Sequence, residues 1–201
     1  MKDWAEAIST IARAAGEQIM AVYAQDFEVS EKADSSPLTK ADLAAHRCIV
    51  SRLPDLDGDL PILSEESAAM AWQERRTWSR YWLVDPLDGT REFIKKNGEF
   101  TVNIALIENG EPVLGVVYAP VIDWLLVGGR GFGAHWQRAG ASGPAAVAKA
   151  GNPLRVAASR SHRDARTQGF IDRMGEAEPI GLGSSLKFCR IADGGLDVYP
   201  R

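Results

Sequence analysis

The greatest concentration of chemically capable side chains lies in one hexapeptide, Asp85-Pro86-Leu87-Asp88-Gly89-Thr90. Its two carboxylates stand three residues apart, a spacing that on a regular strand sends side chains to opposite faces. Pro86 fixes a bend there, so Asp85 and Asp88 can converge. Two carboxylates plus a freed backbone carbonyl, that of Leu87, form an all-oxygen donor set suited to a hard cation such as Mg²⁺. Gly89 and Thr90 then offer backbone N–H groups to a phosphate, with the Thr90 hydroxyl beside them. Asp-Pro or Asp-Gly alone would read as an ordinary turn. The complete hexapeptide, placed where an apolar strand ends, reads as a metal site.

Three further acidic residues extend this set. Glu65 and Glu66 follow a short apolar run and are expected to open a short helix capped by Ser64, where they would merely complement its dipole. Beside a second carboxylate site they read instead as additional oxygen ligands, which a two-metal centre needs. Asp42 stands third after Thr39 in a capping-box pattern, so closing a helix start is a sufficient role for it in isolation. On the cationic side, Lys187 lies two residues after Ser185 at a predicted helix start, where a hydroxyl, backbone N–H groups and an ammonium can share one phosphate.

The elements that must position these residues are legible in outline. Residues 3–25 repeat apolar side chains at helical spacing, and 31–37 form a polar stretch expected to be a mobile loop. A second helix starts near Thr39. Strands are predicted at 61–63, 81–84 and 101–107, followed by an Asn109-Gly110 hairpin turn into 113–118 and a continuation at 122–127. Residues 137–153, rich in Ala, Gly and Pro, read as a loop or domain junction. Beyond it come a strand at 154–158, a helix at 164–174, a short strand near 179–181, a helix at 185–192 and a final strand at 196–199.

Bulk properties narrow the function classes. The 201-residue chain carries a net charge of −4 and 45% hydrophobic residues, an ordinary globular balance without the basic footprint of a long nucleic-acid partner. No apolar run approaches the ~18 residues of a membrane span, and the charged start lacks a signal-peptide pattern. Cys48 and Cys189 fit two buried thiols of a cytoplasmic protein.

The order Asp42, Glu65-Glu66, Asp85-Pro-Leu-Asp88-Gly-Thr90 resembles the lithium-sensitive phosphomonoesterase superfamily that includes inositol monophosphatase. The run 82–107, together with Gly183-Ser-Ser-Leu-Lys187 and Asp197-Val-Tyr-Pro-Arg201, is similar to its bacterial 3'(2'),5'-bisphosphate nucleotidase branch. The resemblance implies a layered α/β/α/β/α sandwich of the sugar-phosphatase fold, with an N-terminal α+β domain over 1–145 and a partial C-terminal α/β domain over 146–201. It implies that Glu65, Asp85, the Leu87 carbonyl and Asp88 hold two or three Mg²⁺ ions, with Mn²⁺ as a substitute. Thr90 and Glu65 would orient and deprotonate the attacking water, with Asp42 supporting Thr90. Lys187 and Arg201 would face the second phosphate of a bisphosphate, while Ser159 and His162 would line the nucleoside pocket.

The implied reaction is hydrolysis of the 3'-phosphate of adenosine 3',5'-bisphosphate, or of its sulfated analogue 3'-phosphoadenylyl sulfate, within sulfate assimilation. An inositol-1-phosphate or other sugar phosphatase on the same scaffold is the enzymatic alternative. The family also places a metal-binding Asp in a Trp-Asp-x-x-Ala-Gly motif downstream of the position of Arg201, and no such motif occurs here. The expectation is therefore a chain lacking several tens of C-terminal residues, with an under-liganded second metal, and a non-catalytic phosphonucleotide-binding protein becomes the rival from another class. A homodimer and a peripheral station on the cytoplasmic face of the inner membrane are further family expectations.

Overall fold

Helix α1 (Lys2–Tyr23) forms where Ala5, Ile8, Ile11, Ala12, Ala15 and Ile19 recur at three- and four-residue steps, and all six are buried. The computed structural model describes residues 1–25, 29–31, 37–67, 70–159 and 164–200. Strands β1 (Val29–Glu31) and β2 (Pro37–Thr39) pair antiparallel where the sequence suggested a polar loop; residues 32–36 of that stretch lie outside the described residues. Thr39 then caps helix α2 (Lys40–Val50): its side chain accepts from Ala41 N–H, and Asp42 accepts from Thr39 N–H in return.

A large sheet follows, built from β3 (Ile62–Ser64), β4 (Arg80–Asp88), β5 (Thr101–Glu108), β6 (Glu111–Ala119), β7 (Trp124–Gly129), β8 (Gly133–Arg138) and β9 (Ala141–Pro144). Two short helices interrupt it, α3 (Trp72–Arg75) and α4 (Thr90–Ile94). Neighbouring strands in space are neighbours in sequence; β3 and β4 run parallel and the rest is an antiparallel meander. The tight β5–β6 hairpin needs two left-handed residues, and Asn109 (φ 51°) and Gly110 (φ 80°) supply them.

One face of this sheet packs on α1 and α2. Trp82, Val84, Ile104, Leu106 and Val116 point into that core and are nearly inaccessible, each worth roughly 2–3 kcal/mol of apolar burial. Gly16 allows the close approach of α1, since a Cβ there would lie 2.5 Å from the Tyr118 ring.

The remaining chain adds β10 (Leu154–Ser159), α5 (Ala165–Asp172), β11 (Ala177–Leu182) and α6 (Leu186–Ala192). Strands β10 and β11 pair parallel across the α5 crossover. Helix α6 packs Leu186 and Cys189 onto Ala119, Trp124 and Leu126, covering part of the second face of the large sheet. Asp197, 2% exposed in its side chain, clips the chain end to β10: it accepts from Arg155 N–H at 2.7 Å and from the Arg155 guanidinium at 2.7 and 3.1 Å.

Three expectations need correction. Glu65 and Glu66 sit in a turn and open no helix, because the Glu65 N–H is taken by Val84 O at 3.0 Å, prolonging the β3–β4 ladder. The segment read as a junction contains the end of β8 and all of β9, edge strands whose mostly exposed side chains leave little apolar alternation to detect. The final strand reduces to one parallel bridge, Val198 to Val156.

Candidate active site

Strand β4 bulges where the chemistry is. Asp85 pairs with Asn103 and Asp88 with Thr101, so three steps on β4 match two on β5. The extra residue restores the phase that a three-residue spacing would break, and both carboxylates emerge on the side of the sheet away from α1 and α2. The parallel pairing of Ser64 with Val84 brings Glu65 level with Asp85. Burial first, then the charges of Asp88 and Glu65, push the Asp85 carboxyl up to about 8; it stands within hydrogen-bonding reach of the Glu65 carboxyl and accepts from Leu87 N–H. Asp85 Oδ1 is buried with no protein partner among the described residues. Burial likewise raises Asp88, against the opposing effect of Ser185 N–H, the Lys187 ammonium and the Asn103 amide.

These features fit an oxygen-seeking divalent cation: a buried, partnerless carboxylate oxygen beside two more carboxylates, with no soft ligand among them. Among the described residues no three His, Cys, Asp or Glu side chains close on a common centre. The carboxylates are gathered as neighbours, and mutual repulsion opposes drawing them into a tighter cage.

Helix α2 braces both carboxylate-bearing segments. Asp42, 1% exposed, uses Oδ2 for its own helix cap, accepting from Thr39 N–H at 2.8 Å and Thr39 Oγ1 at 2.6 Å. Its Oδ1 accepts from Thr90 Oγ1 at 3.2 Å, and the same hydroxyl lies 3.3 Å from Leu87 O. Capping and support of Thr90 are therefore done by different oxygens of one side chain. One turn along, His46 Nδ1 meets the buried Ser64 Oγ at 2.8 Å, directly before Glu65. The sequence reading missed His46, although its i+4 relation to Asp42 marks the same helix face.

A second loop closes on this one from the other half of the chain. Gly89 (φ 92°) opens α4, and a Cβ there would meet Glu99 O at 3.0 Å and Ser184 Cβ at 3.1 Å. Gly183 is tighter still, its virtual Cβ lying 2.8 Å from both Glu99 O and Glu92 Cγ. Glycine at both places lets the two turns touch. Lys187 is 5% exposed and donates to Ser184 O at 2.6 Å and Leu182 O at 3.2 Å, with Nζ 5.5 Å from the centre of the Tyr199 ring. It is a buried cation beside Asp88, not a solvated surface charge.

Glu65, Asp85, Leu87, Asp88, Gly89, Thr90 and Asp42 thus come together, and Ser185 and Lys187 join them through Asp88. Ser159 ends β10, but its side chain, like His162 and Arg201 as a whole, lies outside the described residues. A cleft of about 610 Å³ opens over Glu65, Asp85, Asn103 and Arg75 and runs onto Leu83 and Val117 of the same sheet face. A second, of about 780 Å³, follows α5 past Arg166, Phe170 and Arg173 to Tyr199.

The chain belongs to the inositol monophosphatase family, whose signature matches residues 1–201. Enzymes of this family depend on a divalent metal, typically Mg²⁺. It is 50% identical to the 3'(2'),5'-bisphosphate nucleotidase CysQ of Escherichia coli O157:H7 over 96% of this chain and 78% of that protein. The Salmonella typhimurium protein of the same name is also 50% identical, over 98% of this chain and 79% of its own length. The crystal structure of CysQ from Bacteroides thetaiotaomicron superposes with a TM-score of 0.86 at 42% identity, covering 100% of this chain and 80% of that one. The inositol monophosphatase of Thermotoga maritima gives 0.81 at 26% identity, over 99% and 76% of the two chains. The expected fold, a mixed sheet layered with helices in the inositol monophosphatase arrangement, is the one observed. No described helix is long and apolar enough to cross a membrane.

Proposed function

We propose that this protein hydrolyses the 3'-phosphate of adenosine 3',5'-bisphosphate to AMP and phosphate, and treats 3'-phosphoadenylyl sulfate likewise, serving sulfate assimilation in the cytoplasm. The observation that carries this reading is the buried Lys187 beside Asp88, a cation suited to a second phosphate next to carboxylates suited to metal-assisted hydrolysis. Support comes from the 50% identical relatives named 3'(2'),5'-bisphosphate nucleotidase. The metal site belongs to the part spanning 1–145 and the substrate-binding groups mainly to 146–201.

In this reading Glu65, Asp85, Asp88 and the Leu87 carbonyl hold Mg²⁺, or Mn²⁺ in its place. When bound, such ions lower the pKa of an attacking water and offset charge on the phosphoryl oxygens. Thr90 orients that water, its hydroxyl aimed by Asp42 Oδ1. Glu65 accepts the water's proton as the water oxygen bonds to phosphorus and the bond from phosphorus to the 3'-oxygen breaks, and that proton passes on to the leaving 3'-oxygen, which becomes the 3'-hydroxyl of AMP. Gly89 and Thr90 offer N–H groups to the departing phosphate, while Ser185, Lys187 and Arg201 retain the 5'-phosphate. The nucleoside lies along α5 against the Phe170 and Tyr199 rings, and Ser159 and His162 are its expected pocket residues. Tyr199 connects the two regions, lining that cleft while carrying Lys187 on its ring.

Phosphate release with Mg²⁺ tests the reading, using the bisphosphate and inositol 1-phosphate in parallel. A preference of at least tenfold in kcat/KM for the bisphosphate is expected, the worth of one well-placed charged contact. Equal rates would remove the nucleotide assignment, and tight bisphosphate binding without turnover would make the protein a binding module.

A further inference from the structure

Strand β5 and the residues leading into it present polar side chains at every second position, Glu99, Thr101 and Asn103, before the apolar run 104–107. A run of alternate residues shares one face. All three reach the 183–187 turn, more than eighty residues away in sequence. Glu99 Oε2 accepts from Gly183 N–H at 2.8 Å. The Thr101 hydroxyl, fully buried, meets Ser185 Oγ at 2.7 Å and lies 3.4 Å from Ser184 Oγ. Ser185 Oγ donates to Asn103 Oδ1 at 2.9 Å, and the Asn103 amide also donates to Asp88. The turn held in this way is conformationally costly, with Ser184 at φ 45°, a region that non-glycine residues seldom adopt. Such a conformation persists only where surrounding bonds fix it, and here the three β5 side chains provide them.

We propose that Glu99, Thr101 and Asn103 are positioning residues that set the preference for a second phosphate, by fixing the 183–187 turn in register with Asp88. The inference rests on the proposed reading that Ser185 and Lys187 meet that phosphate. Lys187 donates to the carbonyls of Leu182 and Ser184, so any slip of the turn carries its ammonium away from Asp88. A small slip leaves Glu65 and Asp85 in place, because β3 and β5 hold their backbones, and leaves Asp88 its bond from the Asn103 amide. Loosening the β5 contacts therefore acts more on recognition of the second phosphate than on the reacting one.

The test compares adenosine 3',5'-bisphosphate with adenosine 3'-monophosphate, which differ only in that second phosphate. Thr101→Val and Glu99→Ala are expected to lower the ratio of the two kcat/KM values by about tenfold, mainly through KM for the bisphosphate, since misplacing a binding group by about an ångström costs this much or more. Thr101→Ser, which keeps the hydroxyl, is expected to retain the ratio within about twofold, separating the hydroxyl's role from general packing. A parent protein that does not distinguish the two substrates overturns the functional reading and this inference with it. A parent that distinguishes them, with variants that keep the ratio, overturns this inference alone. So does an equal loss on both substrates, which would mark the three residues as merely structural.

Discussion

Replacing Asp85 by Asn should make the metal-free protein more stable while removing its response to Mg²⁺. The Asp85 carboxyl is raised from 3.8 to about 8, first by burial and then by Asp88 and Glu65. A raised acid binds its proton more tightly when folded. Its stabilising contribution is thus complete below pH 3.8 and is lost as pH rises through about 8. Each pH unit inside that interval costs about 1.4 kcal/mol. Between pH 6.5 and 8, allowing for the group beginning to ionise in the fold, the loss is about 1.5 kcal/mol. For a chain of this size that corresponds to a fall in Tm of about 3–6 °C. The window avoids His46, whose lowered pKa, due to burial and then Arg47, affects stability only below about its ordinary value of 6.5. It also avoids Asp197, held below the usual carboxylate range by Arg155, whose contribution is present above about pH 4 and is lost in acid. Scanning calorimetry in chelator across the window should show the parent Tm falling and the Asn variant nearly flat and higher. Millimolar Mg²⁺ should raise the parent Tm and leave the variant unmoved. A flat parent, or a variant less stable than the parent at pH 8, would refute the placing of a strained carboxylate at the β4 bulge.

Other substitutions examine separate parts of the site. Asp88→Asn should reduce turnover by at least about a hundredfold with an unchanged far-UV spectrum, the scale on which a positioned charge matters in catalysis. Lys187→Ala should raise KM for the bisphosphate far more than for inositol phosphate, measured by phosphate release on both. Asp42→Ala removes the α2 cap and the Thr90 acceptor together. It should cost about 1–3 kcal/mol in urea unfolding and lower kcat as well. Gly183→Ala should impair activity strongly, read as kcat/KM, because its Cβ would stand 2.8 Å from the Glu99 carbonyl oxygen.

What the sequence revealed was mostly what is local. The hexapeptide from Asp85 to Thr90 could be read because its bend, its ligands and its glycine lie within one turn of chain. Asp42 was readable in two ways, and the structure shows why each reading was reasonable: its two oxygens serve different partners. Thr101, Asn103 and Glu99 passed unnoticed because their partners lie more than eighty residues downstream, and a polar residue in a strand ordinarily signals a solvent face. In this strand the polar face is covered by the 183–187 turn. The Glu65-Glu66 pair looked like a helix start because acidic residues after Ser64 favour one, but the backbone hydrogen bond to Val84 had already committed the chain to the sheet. Strands β8 and β9 escaped detection because an exposed edge needs no apolar alternation.

In the proposed reaction, carboxylates at the β4 bulge direct metal-dependent cleavage of one phosphate while the α6 start retains the other. Chromatography of the products from adenosine 3',5'-bisphosphate tests it most directly. Adenosine 5'-monophosphate and phosphate are expected, formed only with a divalent cation and stopped by chelator. Product that keeps the 3'-phosphate, or cleavage indifferent to chelator, would contradict it.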